Sequence, residues 1–288
     1  MASFVALCVV SFRGGDARLP TGCLSAIFLL SLLQPDAYAS SWNQPSGAGL
    51  IIADYTMAGG SRYFNGAGRL SPAAAYDKGE GFAYVEYGLT DWLMAVAKPE
   101  VVAVALAPPA GSRASNGTAR YLGLGTTDIG AQVQVATSGP AVLAAQASFR
   151  LPATTSQANP ALVGSTSRDI DLRALGGVTL LGLGWPAFVD LQSAYRIRSG
   201  GAPDEWHGDV TLGIRPMARL LLLLQSTTCV PLGRGTAWFP ASLYSKLGGS
   251  IVIDLSVHWS VEMGAFQTVA GINALRERGY RTAIWYRF

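Results

Sequence analysis

The apolar residues of this sequence are divided into many short segments, and none is long enough to form a membrane-spanning helix. Such a helix needs roughly 18 or more apolar residues in a row, whereas the best candidates, Leu24–Leu33 and Leu220–Leu224, are much shorter. Yet 50% of the chain is hydrophobic and only 14% is charged, against about a quarter charged in soluble domains. With 34 glycines, this distribution favours strands and turns over helices.

Alternation of apolar and polar residues predicts about twelve strands after residue 39. In the segment 187–198, for example, apolar residues alternate with Asp190, Gln192, Arg196 and Arg198. Each predicted strand therefore has one apolar and one polar face. The predicted strands are 48–57, 79–89, 92–105, 121–136, 141–151, 168–180, 187–198, 205–215, 218–230, 246–256, 259–269 and 277–288.

The connections between these strands alternate between mostly long and short. Polar connections rich in Gly, Pro, Ser or Asn, such as 58–78, 152–167 and 270–276, alternate with short turns such as 90–91 and 216–217. Outer-membrane barrels have long extracellular loops and short periplasmic turns, and their sheet closes because lipid tolerates no unpaired backbone groups. We therefore predict an all-β fold, a transmembrane antiparallel up-and-down β-barrel of about 12 strands over residues 40–288, in contact with the lipid of a bacterial outer membrane.

Residues 1–39 have the pattern of a cleavable signal peptide. Arginines precede the apolar run at 24–33, a proline ends it, and Ala37 and Ala39 give the small-x-small pattern of the cleavage site. An ordinary N-terminal helix is the disfavoured alternative, because run length, helix breaker and cleavage pattern coincide. Cleavage after Ala39 would leave Cys229 as the one cysteine of the mature chain, so no disulfide framework is expected.

The charged residues of the polar faces should point into the barrel, because a charge facing lipid near the bilayer midplane costs about 2–4 kcal/mol. Either these charges pair with one another and brace the wall, as buried charges usually do, or an unpaired minority lines a permeation path. Barrels of about eight strands are filled and those of about sixteen are open, so twelve strands allow a narrow pore. The residues predicted to line the lumen are Asp54, Glu86, Asp128, Arg150, Asp171, Arg173, Asp190, Arg196, Asp209, Arg215, Asp254, Glu262 and Arg281, with Arg287 beside them.

The apolar face of the last predicted strand carries Tyr280, Ile284, Tyr286 and Phe288. A terminal Phe with alternating apolar residues before it resembles the signal read by the barrel-assembly machinery, which is the protein partner we expect. Aromatic residues near strand ends resemble the interfacial girdle of membrane proteins. The predicted girdle comprises Trp42, Tyr55, Trp92, Tyr121, Trp185, Tyr195, Trp206, Trp259, Trp285 and Tyr286.

One segment is compatible with catalysis, His258-Trp259-Ser260 followed by Glu262. Alternation places the three polar side chains on one face, and a Ser–His pair oriented by an acid is a known nucleophile arrangement. Its predicted place at a periplasmic turn argues against lipid hydrolysis, so we predict no catalytic residue and no enzyme. No His/Cys cluster or cofactor motif indicates a metal or cofactor, and a net charge of +3 gives no reason to expect nucleic-acid binding.

Several short motifs resemble one known family. They are EYGLTDWL at 86–93, GLGTTDIG at 123–130, SFRLPAT at 148–154 and WYRF at 285–288. These resemble turn and strand-end motifs of the "MetA-pathway of phenol degradation" transporter-like family of outer-membrane proteins, over about residues 45–288. The sequence departs from that pattern at Thr126-Thr127, which precede Asp128. The resemblance implies passive transport of small compounds, aromatic ones among them, and identifies no binding residues.

The sequence thus favours an outer-membrane channel for small, aromatic or hydrophobic molecules. The alternative of a different class is a closed structural or adhesive barrel that acts through its extracellular loops, and a lipid-modifying barrel enzyme is the third. Nothing in the sequence identifies the solute.

Overall fold

The computed structural model describes residues 41–107, 118–180, 182 and 184–288. The predicted signal peptide, with Ala37 and Ala39, lies outside the described residues and stays a prediction. No helix in the described part of the chain is both long and apolar enough to span a membrane.

The described chain forms one antiparallel sheet that closes on itself. Each strand pairs with its neighbours along the chain, and β1 pairs with both β2 and β13, so the sheet has no free edge. The two-residue β12 pairs only with the far end of β1, which leaves twelve strands in the barrel wall and confirms the predicted fold. The strands are β1 Gly49–Phe64, β2 Leu70–Gly88, β3 Leu93–Leu106, β4 Ala119–Ser138, β5 Ala141–Pro152, β6 Asp169–Leu180, β7 Ala187–Arg198, β8 Glu205–Met217, β9 Leu220–Pro231, β10 Leu243–Asp254, β11 Trp259–Ile272, β12 Ala274–Leu275 and β13 Arg278–Arg287.

The two faces of the strands take the sides that their polarity predicts. On β7 the charged positions turn inward while Leu191 and Tyr195 are exposed on the outer surface. On β13 the outward residues include Tyr280, which is 72% exposed, and Ile284. An apolar outer surface on a closed sheet is the arrangement that lipid requires, since closure pairs the backbone of each wall strand with both of its neighbours.

The hairpin of β1 and β2 is much longer than the sequence predicted. Residues 58–78 were expected to form a loop, but the two strands continue to Phe64 and from Leu70, with a turn of Asn65–Arg69 between them. Within that turn Gly68 has a φ of 72°, a conformation that favours glycine. The predicted connection 270–276 is likewise largely strand, in β11 and β12. Pairing there rests on backbone hydrogen bonds, so no apolar alternation reveals it.

Strand β3 contains Lys98-Pro99-Glu100, and a proline within a strand predicts a bulge, because proline cannot donate to the ladder. The pairing of β3 with β4 shifts register between Pro99 and Val101, which confirms that expectation. Beside this register shift, the Thr126 hydroxyl on β4 donates a hydrogen bond of 3.2 Å to the Glu100 carboxylate.

Two members of the predicted aromatic girdle are not on the outer surface. Trp42 packs against Phe188 inside the barrel, with ring centroids 6.1 Å apart, and Trp285 is 0% exposed. Other members, including Trp92 and Trp185, are exposed as predicted. The girdle prediction was wrong for Trp42 because its segment turns into the barrel, and for Trp285 because its alternating position on β13 faces inward.

Candidate functional site

The interior of the barrel is the candidate functional site, and its inner wall is densely charged. The thirteen residues predicted to line the lumen all occupy inward-facing positions of their strands. Asp54, Glu86, Asp171, Asp190 and Glu262 are buried. The remaining eight are half-buried, and most of them border the internal cavities described below: Asp128, Arg150, Arg173, Arg196, Asp209, Arg215, Asp254 and Arg281.

On one side of the barrel, one ion pair joins β4 to β5, and a connected group of ion pairs joins β6, β7 and β8. Arg150 on β5 donates two hydrogen bonds of 2.7 Å to the carboxylate of Asp128 on β4. Asp171 on β6 accepts from Arg196 at 3.1 Å and from Arg173 at 3.3 Å. Charge-assisted bonds fix geometry as well as adding energy, above all when they are bidentate, so these pairs hold β4 against β5 and β6 against β7.

Arg173 extends this network to the next strand. Its Nη1 donates to Asp209 on β8 at 2.6 Å and to Gln192 on β7 at 2.7 Å. The guanidinium therefore crosses β7 to bind a carboxylate two strands away. To reach this carboxylate, the Arg173 side chain must lie along the barrel wall. A side chain in that position narrows the lumen less than one that points toward the barrel axis.

A second group of ion pairs lies on the opposite side, where the barrel closes. Arg281 on β13 donates to Asp54 on β1 at 2.9 Å and lies 3.8 Å from Glu262 on β11. Nearer the periplasmic turns, Arg215 binds Asp254 at 2.7 Å. The Arg281–Asp54 pair connects the first and last strands through side chains as well as through the backbone ladder.

Between the two groups the interior is hollow. Two adjoining cavities of about 340 and 350 Å³ share the lining residues Phe82, Lys98, Gln225, Thr227 and Arg281. Aromatic rings join the charges there, and the Lys98 ammonium lies 4.1 Å from the centre of the Phe82 ring. The space could hold a small polar molecule with an aromatic or apolar part.

The periplasmic half of the interior is packed with apolar side chains instead. Leu50, Ile52, Leu221, Val252 and Trp285 are all almost completely buried and belong to one cluster. The indole of Trp285 donates to Glu262 at 3.0 Å, so the buried carboxylate has a donor within the cluster. A filled section of this kind narrows the lumen below the cavities.

Residues 41–46, here called the N-terminal strap, lie across this periplasmic half. Ser41 donates from its backbone N–H and its hydroxyl to Asp190, at 2.7 and 2.6 Å. Gln44 donates to Glu86 at 2.8 Å, and Gln132 donates to Asn43 at 3.1 Å. The strap thus contacts β2, β4 and β7, and two predicted lumen carboxylates serve to hold it.

Sequence reasoning missed the strap because its six residues show no periodicity and its partners are far away along the chain. One signal was available in hindsight: Gly177 on β6 has no side chain, and a Cβ there would overlap the Trp42 indole. A glycine on the inner face of a strand can indicate that another part of the chain packs closely against that face.

His258 and Ser260 do not form the Ser–His pair that their spacing in the sequence would allow. The His258 ring is exposed at a periplasmic turn, where its Nδ1 hydrogen-bonds the backbone carbonyl oxygen of Arg287 at 2.9 Å. Ser260 is buried and donates to Asp254 at 2.6 Å while accepting from Arg287. The expectation that His258 and Ser260 share a face was wrong, because His258 belongs to the turn, where strand alternation has not begun.

The predicted assembly residues lie on the outer surface at the seam of the barrel. Tyr280, Ile284 and Phe288 are exposed, and the Phe288 ring stacks against Tyr286 and Tyr87 at 5.8 and 6.3 Å. The backbone of Phe288 exchanges two hydrogen bonds with Gly49, of 2.9 and 3.0 Å. The row is therefore accessible from lipid where β13 meets β1, and its recognition by the assembly machinery stays a prediction.

The structure is similar to solved outer-membrane proteins. An outer membrane channel from Pseudomonas putida F1 matches with a TM-score of 0.66 and 14% identity, over 88% of this chain and 100% of that one. The transport unit of the autotransporter AIDA-I from Escherichia coli matches with a TM-score of 0.51 and 10% identity, over 93% and 98%. The β domain of the Bordetella autotransporter BrkA gives 0.51 and 13%, over 84% and 100%.

These likenesses concern the fold. No family model and no curated protein matches the sequence, so membership of the phenol-degradation transporter-like family stays a prediction. The closed barrel and its apolar outer surface place the protein in the bacterial outer membrane.

Proposed function

We propose that this protein is a passive outer-membrane channel for small molecules, whose conductance the N-terminal strap limits. The observation that carries the proposal is the hollow, charge-lined interior above the strap, where two adjoining cavities are bordered by polar side chains. A barrel with a purely structural role would need no polar cavity, since apolar side chains could fill its interior at lower cost.

The solute class follows from the cavity walls. Lys98 and Arg281 border both cavities together with Phe82, and Phe266 lines one of them. Such a wall suits small polar molecules, aromatic ones included, because cations and ring faces both attract an aromatic group that carries a polar substituent. The family resemblance agrees with this class.

The test is conductance of the purified full chain in planar bilayers, with solute flux into liposomes as a second measurement. We expect small conductance for the native protein and a larger one for Trp42→Ala, which removes the strap's anchor on Phe188. The matched control is Trp92→Ala, because Trp92 lies exposed outside the lumen. If neither the native protein nor Trp42→Ala gives conductance or flux, the channel proposal fails.

The second candidate is a closed barrel that acts through its loops. The apolar cluster of the periplasmic half favours it, because Leu50, Val252 and Trp285 are almost completely buried there and fill part of the interior. If the barrel is closed, neither the native protein nor Trp42→Ala should allow solute flux into liposomes. The bilayer experiment therefore separates the two functions without knowledge of the solute.

A further inference from the structure

Three potential metal ligands meet on the inner wall near the extracellular ends of β8 and β9. His207 and Cys229 are direct register partners of these two strands, and Glu205 lies two residues before His207, on the same inward face. Cys229 and His207 are 2% and 7% exposed. Their positions are fixed by the backbone ladder rather than by flexible loops, which is the condition for a precise site.

The ligand atoms of the three residues converge. Glu205 Oε2 lies 2.9 Å from His207 Nε2, and Cys229 Sγ lies 3.9 Å from the same nitrogen. All three ligand atoms fall within 4.8 Å of one another. Zinc bonds of about 2.0–2.3 Å to nitrogen, oxygen and sulfur place tetrahedral ligand atoms about 3.3–3.8 Å apart, so small side-chain adjustments would complete the geometry.

The surroundings orient the ligands. Arg198 donates to the other carboxylate oxygen of Glu205 at 2.6 Å, which leaves Oε2 directed toward His207. Tyr244 on β10, the strand on the other side of β9, is the register partner of Cys229. Supporting bonds such as the one from Arg198 typically fix the ligands of metal sites.

The charge of the neighbourhood also fits a divalent ion. The ion pairs of β4–β8, taken together as one charge network, contain one more carboxylate than guanidinium groups, so the net charge of this network is −1 when the thiol and imidazole are neutral. Binding of a divalent cation with release of the thiol proton would bring this charge to zero. The network comprises Arg150, Arg173, Arg196 and Arg198 with Asp128, Asp169, Asp171, Asp209 and Glu205.

We propose that Glu205, His207 and Cys229 form a binding site for a thiophilic divalent metal ion of the zinc class. A mixed sulfur, nitrogen and oxygen set selects such ions over magnesium and calcium, which prefer oxygen alone. Binding replaces the Cys229 S–H bond by a metal–sulfur bond and releases one proton to water, so affinity rises with pH. The site lies just extracellular of the cavities, since Thr227 and Asp209, two residues away, border them.

The test uses Co²⁺ as a spectroscopic probe on the purified full chain in detergent. We expect one equivalent to give a near-ultraviolet sulfur-to-cobalt charge-transfer band together with the visible bands of tetrahedral Co²⁺, and Zn²⁺ to abolish both. Cys229→Ser should lose the charge-transfer band, and His207→Gln should weaken binding by more than about tenfold. His258→Gln is the matched control, because His258 is exposed at the opposite end of the barrel, and it should bind like the native protein.

Folding of each variant is checked by heat-modifiable migration in gels, which reports a closed barrel. A second measurement needs no variant: Zn²⁺ should raise the unfolding midpoint of the native protein by mass action, and Mg²⁺ should not. The proposal is overturned if the folded native protein shows no charge-transfer band with Co²⁺, or if Cys229→Ser and His207→Gln bind as the native protein does. In that case Glu205 and His207 are simply a hydrogen-bonded pair.

Discussion

At the scale of single residues, Arg281 connects the charges on both sides of the barrel seam. It binds Asp54, whose side chain is completely buried, and approaches Glu262, which is equally buried. Removal of one member of a buried ion pair leaves an uncompensated charge and costs about 3–5 kcal/mol. We therefore expect Arg281→Met to destabilise the barrel by that amount in urea unfolding from detergent micelles.

The same strand supplies the control for this prediction. Arg278 is exposed, and its Nε donates only to Gln267 among the hydrogen bonds described, so Arg278→Met should cost less than about 1 kcal/mol. Arg281→Lys keeps the charge and should fall between the two. Equal unfolding midpoints for Arg281→Met and Arg278→Met would mean that the buried pair contributes nothing to stability.

Gly177 is the residue at which the seating of the strap can be disturbed without changing Trp42. Valine at this position would overlap the Trp42 indole, whereas at Gly176 a Cβ meets only a leucine at 3.5 Å. We expect Gly177→Val to expel the strap and Gly176→Val to leave it in place. The measurement is the rate of maleimide labelling of Asn43→Cys in a Cys229→Ser background, which should rise only with Gly177→Val.

At the scale of the strands, the exposed row on β13 offers a prediction about assembly. Recognition of the row by the assembly machinery predicts that Phe288→Ala lowers the amount of barrel in the outer membrane of cells while refolding in detergent stays near normal. The reason is that Phe288 contributes its ring outside the barrel, against Tyr286 and Tyr87, and its backbone bonds to Gly49 survive the substitution. An equal loss in cells and in detergent would assign the ring a structural role only.

The strands themselves could be predicted wherever they cross lipid, and less well beyond it. Alternation identified β7 and β13 because each face meets a different medium. The outer part of the β1–β2 hairpin was missed because residues 58–78 carry no regular apolar alternation, although the two strands pair along most of this segment. The strands of the wall can therefore be predicted from the sequence only where lipid on one face and the lumen on the other impose an alternation of apolar and polar residues.

At the scale of the whole molecule, the interior depends on contacts between distant residues. The sequence indicated which charges turn inward, because the cost of a charge in lipid is local. It did not indicate that Ser41 would bind Asp190, 149 residues away, or that Glu205, His207 and Cys229 would meet. Such meetings depend on the shear and register of the closed sheet, which no short segment of sequence encodes.

The distribution of charge along the lumen leads to a prediction about ion preference. Glu86, Asp190 and Glu262 lie in the narrow periplasmic half, and the strap supplies donors to Glu86 and Asp190. When the strap leaves, two carboxylates face water in a narrow passage with low-dielectric walls, which raises the local concentration of cations. We therefore expect the Gly177→Val pore to prefer K⁺ over Cl⁻ in its reversal potential across a KCl gradient.

Neutralising the two carboxylates in the same background should remove this preference. Gly177→Val with Glu86→Gln and Asp190→Asn is expected to move the reversal potential toward zero, with the conductance still above that of the native protein. Asp204→Asn is the control, because Asp204 lies in the β7–β8 loop and binds Tyr195 and the Arg198 backbone, away from the passage. If the reversal potential is unchanged by Glu86→Gln and Asp190→Asn but shifts with Asp204→Asn, the selective part of the pore lies at its extracellular mouth instead.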